Sequence, residues 1–200
     1  MHEKTLKTVL LSALVAGAGP ALAEVDEAAR TEAARTASME LIQKLGGTLQ
    51  QEMKTAGPAA AITVCRDVAP QIAGELSRRN GWRVTRVSDR VRNPMLGMPD
   101  DWEAGVLEEF HHQVEAGRKP AELEFTEVVT EADGQRYFRY MKAIGTKPVC
   151  LTCHGAPEQM PSAVRQAIES AYPHDQAVGY SAGQVRGAVS IKQPLPAGDS

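Results

Sequence analysis

Residues 123–145 read "LEFTEVVTEADGQRYFRYMKAIG". Two runs rich in β-branched and aromatic residues are joined there by Asp133 and Gly134. An Asp-Gly pair supplies the positive φ that a tight turn requires, so the stretch predicts a β-hairpin and an antiparallel pair of strands. Working outward, "WRVTRVSD" alternates apolar and polar side chains ahead of the hairpin, and "GQVRGAVSIKQPL" does so behind it. Both read as further strands. The segments between them read as helices, without strict alternation of strand and helix. The fold class expected is α+β with an antiparallel sheet at its centre.

The helical segments lie mostly upstream. Residues 25–57 are rich in Ala, Glu, Gln and Leu, all strong helix formers. Met39, Ile42, Leu45, Leu49 and Met53 recur at three- and four-residue steps and predict one buried face. The first half is weakly apolar and reads as a solvated or partner-facing surface. Gly57 and Pro58 break the helix. A second helix is expected over about 59–79, ending near Gly81, with Ala61, Cys65, Val68, Ile72 and Leu76 on its inward face. Pro70 inside it removes a backbone donor and frees the carbonyl of Arg66, which predicts a kink. Asp100 or Asp101 is placed to cap a helix from about Trp102 to Ala116, and "SAVRQAIESAY" reads as a short helix after residue 161.

Ahead of all this, residues 1–23 combine a basic start (Lys4, Lys7), a short apolar run and "ALA" at 21–23, the pattern of an export signal cleaved near Ala23. The apolar run is shorter than the ~20 residues a spanning helix needs, so no membrane span is expected after cleavage. The destination expected is an oxidising compartment, the periplasm in a Gram-negative organism. The formal net charge of the chain is −3, and no basic stripe runs along it. Nucleic acid is therefore not an expected partner.

The chain has three cysteines, two of them in "GTKPVCLTCHGAPE", residues 145–158. Cys150, Cys153 and His154 form C-x-x-C-H, the attachment motif of a c-type haem in an exported protein. The two thiols are expected to form thioethers with one haem, and His154 to sit under the iron as an axial ligand. A structural zinc would need two further ligands at a second short spacing, which the sequence lacks. A thioredoxin-type pair would open a helix after a strand, whereas Pro148 and "GAPEQMP" make these surroundings look like a loop.

The opposite axial position has several candidates. His111 and His112 lie on the helix after Trp102, where a solvated face is the simpler reading, and His174 lies in a polar loop. Met95 and Met98 flank a Gly-Pro-rich loop, as an axial methionine sometimes does. Met141 continues a strand pattern and reads as core, and Met160 is a further thioether. Cys65 is the leftover thiol: either a small hydrophobe within a helix core, or a ligand protected from oxidation by coordination. Arg90 and Arg92, in "SDRVRNP", suit haem propionates or an ordinary solvated strand edge, and Arg92 with Asn93 are the pocket residues expected there.

Four segments carry a resemblance to a known family: "AAAITVCRDVAPQIA", "TRVSDRVRNPMLGMPDDWE", "RYFRYMKAI" and "KPVCLTCHG". Together they resemble the PAS-like, single-haem c-type proteins that stand free in the periplasm or form the sensing part of signal-transduction receptors. The resemblance spans about residues 30–195. It implies a PAS-like fold, a central antiparallel sheet flanked by helices with an N-terminal helical extension. The division would be a signal peptide at 1–23, an N-terminal helix at 24–57 and a haem c-binding domain at 58–195. It also implies Cys65 thiolate and His154 as the two axial ligands, with Cys150 and Cys153 as the covalent attachments. The function implied is redox or diatomic-gas (NO, CO) sensing through an unidentified signalling or redox partner. A low-potential electron-transfer cytochrome is the alternative. A peroxidase-type enzyme ranks below both, because a coordinated Cys65 leaves the iron no vacant position, so no enzyme activity is expected.

Overall fold

The structure is a computed structural model, and it describes residues 26–196. The expected export signal, residues 1–23, lies outside the described residues.

Helix α1 runs Glu27–Thr55. Asp26 caps it, its Oδ1 accepting from the Ala29 amide at 2.9 Å. Its burial differs from the expected stripe. The buried residues are Ala34, Ala37, Ser38 and Leu41, in the half that reads as weakly apolar, while Met39 faces solvent. The reason lies across the interface. Phe138, Tyr140, Val189 and Ile191 of the sheet fill the same core cluster, and bulky side chains there require small ones on the helix. Ion pairing reinforces the contact: Arg35 Nε donates to Glu124 at 3.1 Å, and Tyr140 Oη donates to the same carboxylate at 2.9 Å.

The second helix is built in three pieces. A single turn, α2 (Ala61–Thr63), leads into a π turn over Val64–Val68, and α3 follows over Ala69–Asn80. The Ala69 amide donates to the carbonyl of Val64, five residues back. In an unbroken α-helix the ring of Pro70 would collide with the carbonyl of Arg66. The wider turn relieves that collision, so a π segment stands where the sequence predicts a kink. Gly81, at φ +70°, closes α3 in the left-handed conformation that glycine adopts without penalty.

Strand β1 (Arg83–Val87) is followed by the one-turn α4 (Pro94–Gly97) and by α5 (Asp101–Glu115). Asp100 and Glu103 form a reciprocal capping box at the start of α5. The predicted hairpin is present as β2 (Glu124–Thr130) and β3 (Arg136–Gly145), joined through Gly134 at φ +82°. The turn is longer than a two-residue one, since Thr130 pairs with Arg136. The C-x-x-C-H segment coils into α6 (Leu151–His154) after a 3-10 turn over Pro148–Cys150. Then come α7 (Ser162–Ala171) and β4 (Val185–Pro194).

The sheet is antiparallel, in the order β1-β4-β3-β2. One face takes α1 and α3, packed over Val84, Phe138, Tyr140, Val189 and Ile191. The other takes α5, whose Val106, Leu107 and Phe110 meet Val87, Met141, Ala143 and Ala188. Helices thus cover both faces of an antiparallel sheet, which is an α+β arrangement. No helix among the described residues is long and apolar enough to cross a membrane.

Candidate functional site

The sheet face under α1 and α3 is not filled along its whole length. Beside the C-terminal half of α1 a cleft of about 390 Å³ opens. Ile42 and Leu45 of the expected stripe pack against the core cluster, whereas Leu49 and Met53, together with the cleft-facing part of Leu45, form one wall of the cavity. Ala61, Ile62, Cys65 and Ala69 form the opposite wall, and Val84, Arg86, Ile144, Arg186 and Gly187 form the floor. Cys150, Cys153 and His154 close one side together with Val149 and Tyr172. Cys65 and the C-x-x-C-H residues, far apart in sequence, therefore face one space. All three cysteines are free and half-buried. Among the described residues no group of three or more His, Cys, Asp or Glu stands close enough to cage a bare metal ion. The sulfurs and the imidazole border a volume rather than converge on a point.

A network of backbone bonds fixes His154. Its carbonyl accepts from the Tyr180 amide at 2.9 Å, and the next carbonyl, of Gly155, accepts from the Gly179 amide at 2.8 Å. A side chain at Gly155 would put its Cβ 2.6 Å from the carbonyl oxygen of Leu151, so the turn requires glycine. The ring nitrogen Nδ1 lies 2.7 Å from the carbonyl oxygen of Ala177 and 3.2 Å from Arg186 Nε. A carbonyl only accepts and a guanidinium only donates, so one Nδ1 atom cannot serve both. The shorter contact decides it: Nδ1 carries the proton and donates to Ala177. The Arg186 contact is then two donors side by side. This tautomer leaves Nε2 with a free lone pair, the arrangement that a metal-ligating histidine adopts. Burial, aided by Arg186 and Arg92, pushes the imidazole pKa well below its usual value and keeps the ring neutral. Tyr180 meets the ring edge-on at 6.2 Å between centroids.

Arg92 is buried and fully engaged on one side. Its Nε and Nη2 each contact the Asp175 carboxylate at 3.1 Å, and Nη2 also donates to the carbonyls of Cys153 (2.6 Å) and Ala177 (3.2 Å). It clamps the motif to the 175–180 segment. Asn93 borders the cleft, but its side chain caps α4 by accepting from the Met95 amide at 3.1 Å. Arg90 stacks over Tyr180 at 3.7 Å and donates to the carbonyl of Val178. Burial raises the Cys153 thiol to about 11.

The other axial candidates are elsewhere. His111 lies 3.4 Å from Asp89 on α5, and His112 and His174 do not border the cleft. Met95 and Met98 are exposed, Met141 is buried under α5, and Met160 packs with Ile62, Val164 and Ile168. Residues that the sequence reading passed over are prominent here: Arg86, Arg186, Tyr172, Asp175 and Ala177. Alternation with Val84 marks Arg86 as inward-facing, a legible signal. Ala177 acts through its carbonyl, which leaves no trace in residue type.

Three comparisons bear on this arrangement. A profile of the Tll0287-like family (Tll0287) matches residues 18–194. The crystal structure of the cyanobacterial heme-protein Tll0287 superposes with a TM-score of 0.65 at 25% sequence identity, covering 86% of this chain and 98% of that one. No curated protein matches the chain. The matched span contains every element that frames the cleft, from α1 to β4, and the chain belongs to the Tll0287-like family.

Proposed function

We propose that the cleft holds one haem c and that the protein is a periplasmic redox or diatomic-gas sensor built on a PAS-like domain. Cys150 and Cys153 would carry the thioethers, with His154 Nε2 and Cys65 Sγ as axial ligands. One observation carries the reading: Cys65, on the π turn between α2 and α3, lines the same cleft as Cys150, Cys153 and His154. The residues present suit such a group in two further ways. The walls are apolar along Leu45, Leu49, Ile62 and Val149, and His154 is held as the neutral tautomer with Nε2 free. The similarity to a protein described as a heme-protein supports the same reading.

A bound haem would supply a one-electron centre and, at a vacated axial position, a binding point for a diatomic gas. The chain supplies the rest. Ala177 holds the proton on His154 Nδ1, so Nε2 would be the atom that holds the group. Cys65, through Sγ, would be the second residue holding the group and the changeable one of the two. Its π turn makes it a suitable element to move, because such single-turn bulges within α-helices occur frequently at functional sites. Arg66 and Asp67, exposed on the same turn, would carry the change to a partner surface.

The test is spectroscopic. Cys65→Ser should abolish the low-spin thiolate signal of the ferric protein in electron paramagnetic resonance, and an unchanged spectrum would sink the ligand assignment. The reduced protein should bind carbon monoxide or nitric oxide. Reversible redox cycling with no ligand change and no gas binding would make it an electron carrier instead.

A further inference from the structure

The cleft holds more positive charge than the chain neutralises. Four arginines border it: Arg66, Arg86, Arg92 and Arg186. Arg66 is paired with Asp67 and Arg92 with Asp175, which leaves Arg86 and Arg186 without a carboxylate among the described residues. Arg186 has neutral oxygens for company, Ser88 Oγ at 3.0 Å and the Arg90 carbonyl at 3.5 Å. Its third neighbour, His154 Nδ1, faces it as a donor, so the contact at 3.2 Å neutralises nothing. The Arg86 backbone is paired with Val189 in the sheet, but its side chain makes no hydrogen bond and no ion pair among the described residues. Cys65 and Tyr172 share the cleft lining with it.

The fold goes out of its way to turn Arg186 inward. Ile144 of β3 pairs with Gly187, but the next residue, Gly145, pairs with Val185. Arg186 is the extra residue of a β-bulge. Strict alternation from Ala188, which packs under α5, would send Arg186 to the α5 face. The bulge redirects it to the cleft. Gly187 makes the bulge possible, at φ +145°, and a Cβ there would lie 2.3 Å from the Val87 carbonyl oxygen. Arg86 arrives on the same face by ordinary alternation with Val84.

Two half-desolvated cations with water as their counter-solvent are tolerable in an open cleft. Once an apolar body fills it, the water leaves and each guanidinium needs an anionic partner. A planar fork of N–H donors matches a carboxylate. We infer that Arg86 and Arg186 receive the two carboxylates of the bound porphyrin, with Arg92 kept apart as the clamp on the C-x-x-C-H segment. The inference rests on the haem reading above, and it replaces the Arg90 and Arg92 pair that the sequence suggests for this role.

The experiment uses the holoprotein. Arg86→Met and Arg186→Met should each lower the midpoint potential, because losing a cation favours the more positive iron. Each should also shift the propionate-sensitive bands of the resonance Raman spectrum, which a purely structural role would not move. Arg86→Lys should restore most of the potential, and Arg165→Met, on the exposed face of α7, should change neither readout. Unchanged potential and bands in Arg86→Met and Arg186→Met would overturn the assignment, as would finding both shifts in Arg92→Met alone. A c-type pyridine haemochrome band in every variant shows that the porphyrin is attached. Its absence from the unaltered chain would remove the haem reading and this one with it.

Discussion

Asp175→Ala should be one of the more destabilising single changes available to this protein. Asp175 and Arg92 expose only 8% and 7% of their side chains, and two contacts of 3.1 Å join them. Asp175 Oδ1 also accepts from the Ala177 amide at 2.8 Å. Removing the carboxylate strands a buried guanidinium, and breaking a buried pair from one side costs about 3–5 kcal/mol. In a domain of this size each kcal/mol lowers the melting temperature by about 2–4 °C, so the fall should be about 6–20 °C. Arg92→Met should cost a similar amount, because it strands the opposite charge. The double variant Arg92→Met/Asp175→Ala leaves no buried charge, so its penalty should fall short of the sum by about 2–3 kcal/mol. Urea and thermal unfolding of all four proteins, followed by circular dichroism, measure the cycle. A penalty under about 1 kcal/mol for Asp175→Ala, or strict additivity, would show that Arg92 reaches water or another anion in solution and that the clamp is not desolvated.

Three further outcomes are expected. Gly187→Ala forces a Cβ against the Val87 carbonyl at 2.3 Å, and should destabilise the fold by about 2–3 kcal/mol in the same unfolding assay. Asp100→Ala removes the cap of α5 and one of two carboxylates beside buried Arg139, with a loss of about 1–2 kcal/mol. Glu40 is held by Arg79 and then Lys44, which lower its carboxyl pKa to about 2 from the usual 4.5. Its folded-state pKa is the lower one, so its contribution is complete above pH 4.5 and is lost as pH falls toward 2. Glu40→Gln should flatten that part of the stability–pH curve by no more than about 1 kcal/mol, because the pair is near the surface. An identical acid limb in both proteins would contradict the pairing.

Much of this architecture is legible in the residues. The hairpin, the cap at Asp100 and the inward position of Cys65 all follow from local rules of turn, cap and periodicity. What escaped those rules did so for physical reasons. Leu45, Leu49 and Met53 have the periodicity of a core face, and periodicity says only that a face is apolar, not whether protein or a cavity lies opposite. Ala34 and Ala37 look weak on a hydrophobicity scale, yet they are buried because Phe138 and Tyr140 fill the space. Arg186 points inward through a bulge, and a bulge is a property of two strands in register rather than of one sequence run. The residues 175–180 look like a polar loop. Their importance lies in backbone carbonyls and amides, which every residue carries.

The π turn has a consequence for how this chain can change over generations. A helix that bonds five residues back holds one residue more than an α-helix closing the same gap. On one side of the turn Ile62 is committed to Met160, Val164 and Ile168; on the other, Ile72 and Leu76 are committed to the sheet. Deleting one residue between Pro58 and Pro70 would let an ordinary α turn close the same gap, keeping both sides in register but removing the widened turn that carries Cys65 and clears the ring of Pro70. Cys65 would then leave its place while Ile62 and Ile72 kept theirs. The number of residues between those two prolines, and not only their identity, is therefore under constraint. Relatives that differ here by a single insertion or deletion should differ in what they present to the cleft.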